Sequence, residues 1–161
     1  MRVDAYLDRI GYHGSREPTA ETLRQLQRAH LLAVPFDTLD ILLGRPIVLS
    51  VPSFYDKIVS RRRGGFCYEL NGLFGWLLEQ LGFTVALLSA RVLATSEPGP
   101  EFDHLVLLIE TEESLIADVG FGDSFLEPLR LDGQENSHQD TPFRLTRSNA
   151  EMVLERRSES T

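Results

Sequence analysis

The sequence predicts an α+β protein, with a helical half over 1–82 followed by an antiparallel, barrel-like β half over 83–161. Three observations predict it. After Cys67 the apolar residues Leu70, Leu73, Phe74, Leu77, Leu78 and Leu81 recur at i, i+3, i+4, i+7, i+8 and i+11, one stripe of a helix. At Phe83 the pattern changes to Thr84-Val85-Ala86-Leu87-Leu88, a run of strand formers. The apolar runs 102–109 and 115–119 are then separated only by the polar turn Glu110-Thr111-Glu112-Glu113.

The elements follow in order. Val3, Tyr6, Leu7 and Ile10 have helical spacing, and Gly11 can end that helix. Thr19 can cap a second helix carrying Leu23, Leu26, Ala29 and His30, which Pro35 ends. His30 near the C-terminus of that helix reads as structural, in a place where a cation is favoured. Residues 34–40 read as a loop, and 41–44 and 46–49 flank a turn. Ser50, Pro52 and Ser53 signal the start of a helix over 54–60, Ser53 being a candidate cap. The Cys67 helix runs to Gly82. In the second half, strands are expected over 84–93, 102–109 and 115–119. The residues 125–129 follow, and a last hairpin pairs 143–146 with 152–155. The chain ends before a barrel of this kind would close. Its open strand edges invite pairing with a second copy.

The bulk composition excludes several classes. A net charge of −8 argues against a general nucleic-acid binder, despite the Arg61-Arg62-Arg63 run. Hydrophobic residues at 42% and charged residues at 25% are an ordinary globular balance. No run approaches the length of a membrane span. The N-terminus has no long apolar stretch of the signal-peptide kind. One cysteine cannot form an internal disulfide, which fits a reducing, cytoplasmic setting.

That cysteine is where chemistry is expected. A lone cysteine is ordinarily a small buried hydrophobe, but Cys67 sits at a helix N-terminus, where free N–H groups and the helix dipole favour a thiolate. Arginines and the pair Gly64-Gly65 precede it, and the glycines let the backbone come close to a ligand. A cysteine nucleophile needs a base, and the base needs an orienting partner. Of the four histidines, His13 and His138 lie in polar segments, while His104 lies inside an apolar run. Asp118 lies inside another, and a carboxylate there needs a partner. A hairpin symmetric about Thr111 would set His104 and Asp118 opposite each other on one face. Cys67, His104 and Asp118 then form a papain-like set between the two halves, suited to acyl transfer or hydrolysis through a thioester. Backbone N–H groups around 66–68 are candidate oxyanion donors. Phe36, Phe66, Tyr68 and Phe121 are candidates for an aromatic pocket, although each is a natural core residue.

At these residues the sequence resembles the arylamine N-acetyltransferases. The strongest match is Arg63-Gly64-Gly65-Phe66-Cys67-Tyr68-Glu69-Leu70-Asn71. Val34-Pro35-Phe36-Asp37-Thr38-Leu39 is similar to the family's VPFENL segment. His104-Leu105 and Asp118-Val119-Gly120-Phe121-Gly122, followed by Phe125-Leu126-Glu127-Pro128-Leu129, resemble its HL and DVGFG segments. The resemblance covers about 35–130. It implies a ping-pong transfer in which Cys67 is acetylated by acetyl-CoA and an arylamine or arylhydrazine then takes the acetyl group, with no metal. It makes His104 the base or imidazolium, Asp118 its orienting partner, and Phe36, Phe121 and Gly122 part of the acceptor site. It also implies a third, lid domain, which is expected to be missing from these 161 residues. Asp37-Thr38 stands where the family has Glu-Asn, and the shorter acid is expected to pair with Arg63. Two other readings stay open: a related cysteine hydrolase or amide synthase, and an inactive homologue acting as a binding module.

Overall fold

The computed structural model describes residues 1–93, 99–122, 125–134, 142–148 and 151–156. Helix α1 (Val3–Ile10) ends at Gly11, whose N–H returns to Asp8 O. Helix α2 (Ala20–Ala33) starts where Thr19 Oγ1 accepts from Thr22 N at 3.2 Å and stops at Val34, before Pro35. Two expectations in the next stretch need correction. Leu39–Leu42 folds as one helical turn, α3, where a loop was expected. Helix α4 (Val51–Tyr55) is capped by Ser50, not Ser53: the Ser50 hydroxyl accepts from Ser53 N at 3.4 Å. It widens into a π-helical turn over Asp56–Ser60, the kind of irregularity that re-aims side chains. Helix α5 (Cys67–Gln80) begins at the cysteine itself.

Strands β1 (Thr84–Ala90), β2 (His104–Glu110), β3 (Ser114–Ala117) and β4 (Leu129–Arg130) form an antiparallel sheet in that order. Strands β5 (Phe143–Ser148) and β6 (Glu151–Arg156) form a separate two-stranded hairpin. Among the described residues these are two sheets, not a closed barrel. The hairpin packs on the sheet through Phe143 and Leu145, against Ile116, Phe125 and Leu129. Helix α5 lies across β1 and β2. Its Leu70, Leu73, Phe74, Leu77 and Leu78 belong to one apolar core with Leu107, Ile109 and Ala117 from the sheet. The nucleophile's helix and the strand carrying His104 are therefore packed directly together. No helix among the described residues is long and apolar enough to cross a membrane.

His30 is structural, but not as a cation. It is fully buried, with Nδ1 2.8 Å from the Tyr6 hydroxyl and its ring edge-on to Phe74. Burial, aided by the charge of Arg9, pushes its pKa down to about 3. It is neutral at physiological pH, because among the described residues no carboxylate offsets the loss of water.

Candidate active site

The start of α5 is built from below by main chain and charge. The segment before Cys67 runs beside Phe36: Asp37 N donates to Gly65 O at 2.9 Å. Gly64 is required there, since a Cβ at this position would stand 2.0 Å from the Pro35 carbonyl oxygen. Glu69 reaches back and accepts from Phe66 N at 3.1 Å, which satisfies one free donor of the helix start. Glu69 is itself held by Lys57 at 2.7 Å, and Lys57 also meets Asp40 at 3.0 Å. Arg63 then joins Asp40 at 2.9 Å and Asp37 at 2.8 Å, and Arg45 reaches Asp40 at 3.1 Å. The expected pairing of Asp37 with Arg63 is present. The hydrogen bonds from Arg63 and Lys57 hold the Asp40 carboxyl well below the usual carboxylate range. Three cations and three anions thus fix the turn that delivers the sulfur.

The base arrives from the sheet. His104, the first residue of β2, is buried, and its Nε2 lies 2.7 Å from Asp118 Oδ2. Burial of the ring disfavours its charge. Hydrogen bonds to Asp118 and Cys67, together with their charges, outweigh that and raise its pKa to about 9. Since Nε2 is taken by Asp118, Nδ1 is the nitrogen left for Cys67. The structure therefore brings Cys67, His104 and Asp118 together. The route differs from the expected one. The β2–β3 ladder pairs Glu110 with Ser114 and Leu107 with Ala117, so the turn is centred on Glu112, not Thr111. Extended to the site, that register would place Asp118 two residues out of step with His104. A shift of two keeps both side chains on the same face, and the pair meets diagonally beyond the end of β3.

Asp118 is satisfied on every side. Its Oδ1 accepts from Asn71 Nδ2 and from Gly120 N, each at 2.8 Å, and its own N–H donates to Gln27 Oε1 at 3.3 Å. Asn71 also donates to Leu105 O at 2.7 Å and accepts from Val119 N at 2.8 Å. Gly120 is required by close approach: a Cβ there would lie 2.8 Å from Cys67 Cα. Sequence reasoning quoted Asn71 only within a motif and missed Gln27, Lys57 and Asp40. Signals existed for Asn71 and for Gln27. Asn71 is one helical turn from Cys67, and Gln27 interrupts the apolar stripe Leu23, Leu26, His30 of α2.

The aromatic candidates divide. Phe121 stands edge-on to His104, with ring centroids 5.2 Å apart. Phe121 and Phe36 keep 45% and 47% of their surface in solvent, which suits a site wall better than a core. Gly122 is exposed beside Phe121. Phe66 and Tyr68 are half-buried with ring centroids 5.9 Å apart, and the Tyr68 hydroxyl donates to Phe102 O at 2.5 Å. A cleft of about 370 Å³ opens over the ion cluster, between Pro46, Val48, Pro52, Lys57 and Glu69, and not over Cys67. His13 is exposed, and His138 lies outside the described residues.

The N-acetyltransferase family profile matches residues 19–161. An arylamine N-acetyltransferase of Mycolicibacterium smegmatis is 42% identical over 96% of this chain and 59% of its own length. The structure of the Mycobacterium marinum arylamine N-acetyltransferase superposes with a TM-score of 0.90 at 40% identity, over 96% of this chain and 60% of that one. The same enzyme in complex with CoA gives a TM-score of 0.89 at 38% identity, with the same coverage. The chain spans about six-tenths of the length of these relatives. By sequence and by fold, this chain belongs to the arylamine N-acetyltransferase family.

Proposed function

We propose that this chain transfers an acetyl group from acetyl-CoA to an arylamine or arylhydrazine in the cytoplasm, by a ping-pong route through acetyl-Cys67. The half over 1–82 supplies the nucleophile, and the half over 83–161 supplies base and carboxylate. The observation that carries this reading is the placement of His104 between Asp118 and Cys67, with its charge favoured at neutral pH. The imidazolium pairs with the thiolate form of Cys67. The sulfur attacks the thioester carbonyl, a C–S bond forms, and the CoA sulfur leaves with a proton from His104. Neutral His104 then takes a proton from the attacking amine as nitrogen replaces sulfur at the carbonyl, returning the pair to its starting state. Asp118 keeps the ring in the required orientation. The Phe66 N–H is committed to Glu69, so the N–H groups of Cys67 and Tyr68 are the remaining oxyanion donors. Phe36, Phe121 and Gly122 border the acceptor. Support for the donor comes from the M. marinum relative, whose structure holds CoA.

The test is intact mass. Mixing with acetyl-CoA is expected to add about 42 Da at Cys67, lost again on addition of an arylamine. Cys67→Ala should take no label. An adduct formed from other thioesters or esters but not from acetyl-CoA would replace this reading with a different acyl donor.

A further inference from the structure

Helix α5 grips the His104 strand at two carbonyls, one on each side of the histidine. Asn71 holds Leu105 O on one side, and Tyr68 holds Phe102 O on the other. The second grip falls on an unusual residue. Phe102 has φ +63°, a left-handed backbone that an aromatic residue rarely adopts. Its ring does not explain the conformation, because Phe102 is 66% exposed. The β1–β2 ladder ends at the pair Ala90 and His104, so strand pairing does not hold Phe102 either. Three restraints remain: its N–H donates to Ser89 Oγ at 2.9 Å, its carbonyl accepts from Tyr68, and the turn it occupies is closed by Asp103 N donating to Pro100 O at 3.3 Å, although an aromatic is an unusual residue at that turn position. Such a conformation persists only where its surroundings hold it.

We propose that Tyr68 is a positioning residue whose hydroxyl latches the segment leading into His104 onto the first turn of the Cys67 helix, and so sets the approach of imidazole to sulfur. The inference rests on the catalytic reading of Cys67 and His104 given above. Burial, ahead of the nearby Cys67 and Asp103 charges, raises the Tyr68 pKa, which keeps the phenol a donor through the working range of pH. Losing the hydroxyl frees Phe102 to relax out of the left-handed region, and His104, two residues on, moves with it.

The experiment is the rate of Cys67 alkylation by iodoacetamide against pH, with a thermal melt of each variant. Tyr68→Phe keeps the ring and is expected to lower the neutral-pH rate about tenfold, with little change in the melt. Adding Phe102→Asn, a residue that tolerates left-handed backbone, should recover most of that loss, because the segment then stays in place without the latch. A merely structural tyrosine would give no such rescue. If Tyr68→Phe does not fold, Ser89→Ala removes the other tether and should lower the rate about threefold. A Tyr68→Phe rate within about twofold of the parent at every pH overturns the latch. A parent thiol whose rate is unchanged by His104→Gln overturns the catalytic reading instead, and the latch with it.

Discussion

His30 and His104 are both sealed from water, at 0% and 5% exposure, yet one is held neutral and the other charged. Burial lowers the pKa of each ring. For His30 nothing opposes it. Its Nδ1 lies 2.8 Å from the Tyr6 hydroxyl, which its own burial keeps protonated, and its Nε2 has no hydrogen-bond partner among the described residues. For His104 the Asp118 carboxylate lies 2.7 Å away and reverses the sign. The values fall at about 3 and about 9. The chemistry of an imidazole here is set by whether an anion faces it and not by depth in the core.

The contrast can be broken most severely at its carboxylate. Asp118→Asn keeps the shape and removes the charge. It should cut acetyl transfer to Cys67 about 10⁴-fold, measured by single-turnover mass labelling. A carbon-13 titration of the ring should then place His104 below the ordinary value of about 6.5. A His104 pKa that stayed near 9 would assign the shift to Cys67.

The two rings also give opposite slopes of stability with pH. A folded pKa raised above the unfolded value means that the His104 contribution is complete below about 6.5 and is lost as pH rises through about 9. A lowered one means that the His30 contribution is complete above about 6.5 and is lost as pH falls toward about 3. Moving from neutral pH to pH ~5 should therefore remove about 2 kcal/mol through His30. Urea unfolding of His30→Phe should show a flatter acid limb. An unchanged limb would remove His30 from the acid response. The smallest effect is at the phenol: Tyr6→Phe leaves Nδ1 unpaired and should cost about 1 kcal/mol in the same assay.

How legible all this was in the sequence depends on distance along the chain. The α5 stripe, the Thr19 cap and the stop at Gly11 are local patterns, and each appears where its residues predict it. His104 and Asp118 could be paired because a single short turn joins their segments. The register was off by two residues, since the turn is centred on Glu112, but an even shift preserves the face. Gln27 shows in the sequence only as a polar break in the α2 stripe; its contact with Asp118, 91 positions away, is made by tertiary packing and has no local signature. The Asp40 and Lys57 contacts depend on the helical turn at Leu39–Leu42 and the wide turn at Asp56–Ser60, and neither has a periodic signature at that length. The structural role of His30 was legible from its place on α2, but its neutral state was not, because that depends on burial in the packed core.

The wide turn at Asp56–Ser60 has a practical consequence. The chain has one lysine, and that turn folds it inward, 4% exposed, among Glu69 and Asp40. Over these residues a folded molecule therefore offers amine-directed reagents no exposed lysine. Acylation of Lys57 would register, as a single mass increment, each opening of the floor beneath the sulfur.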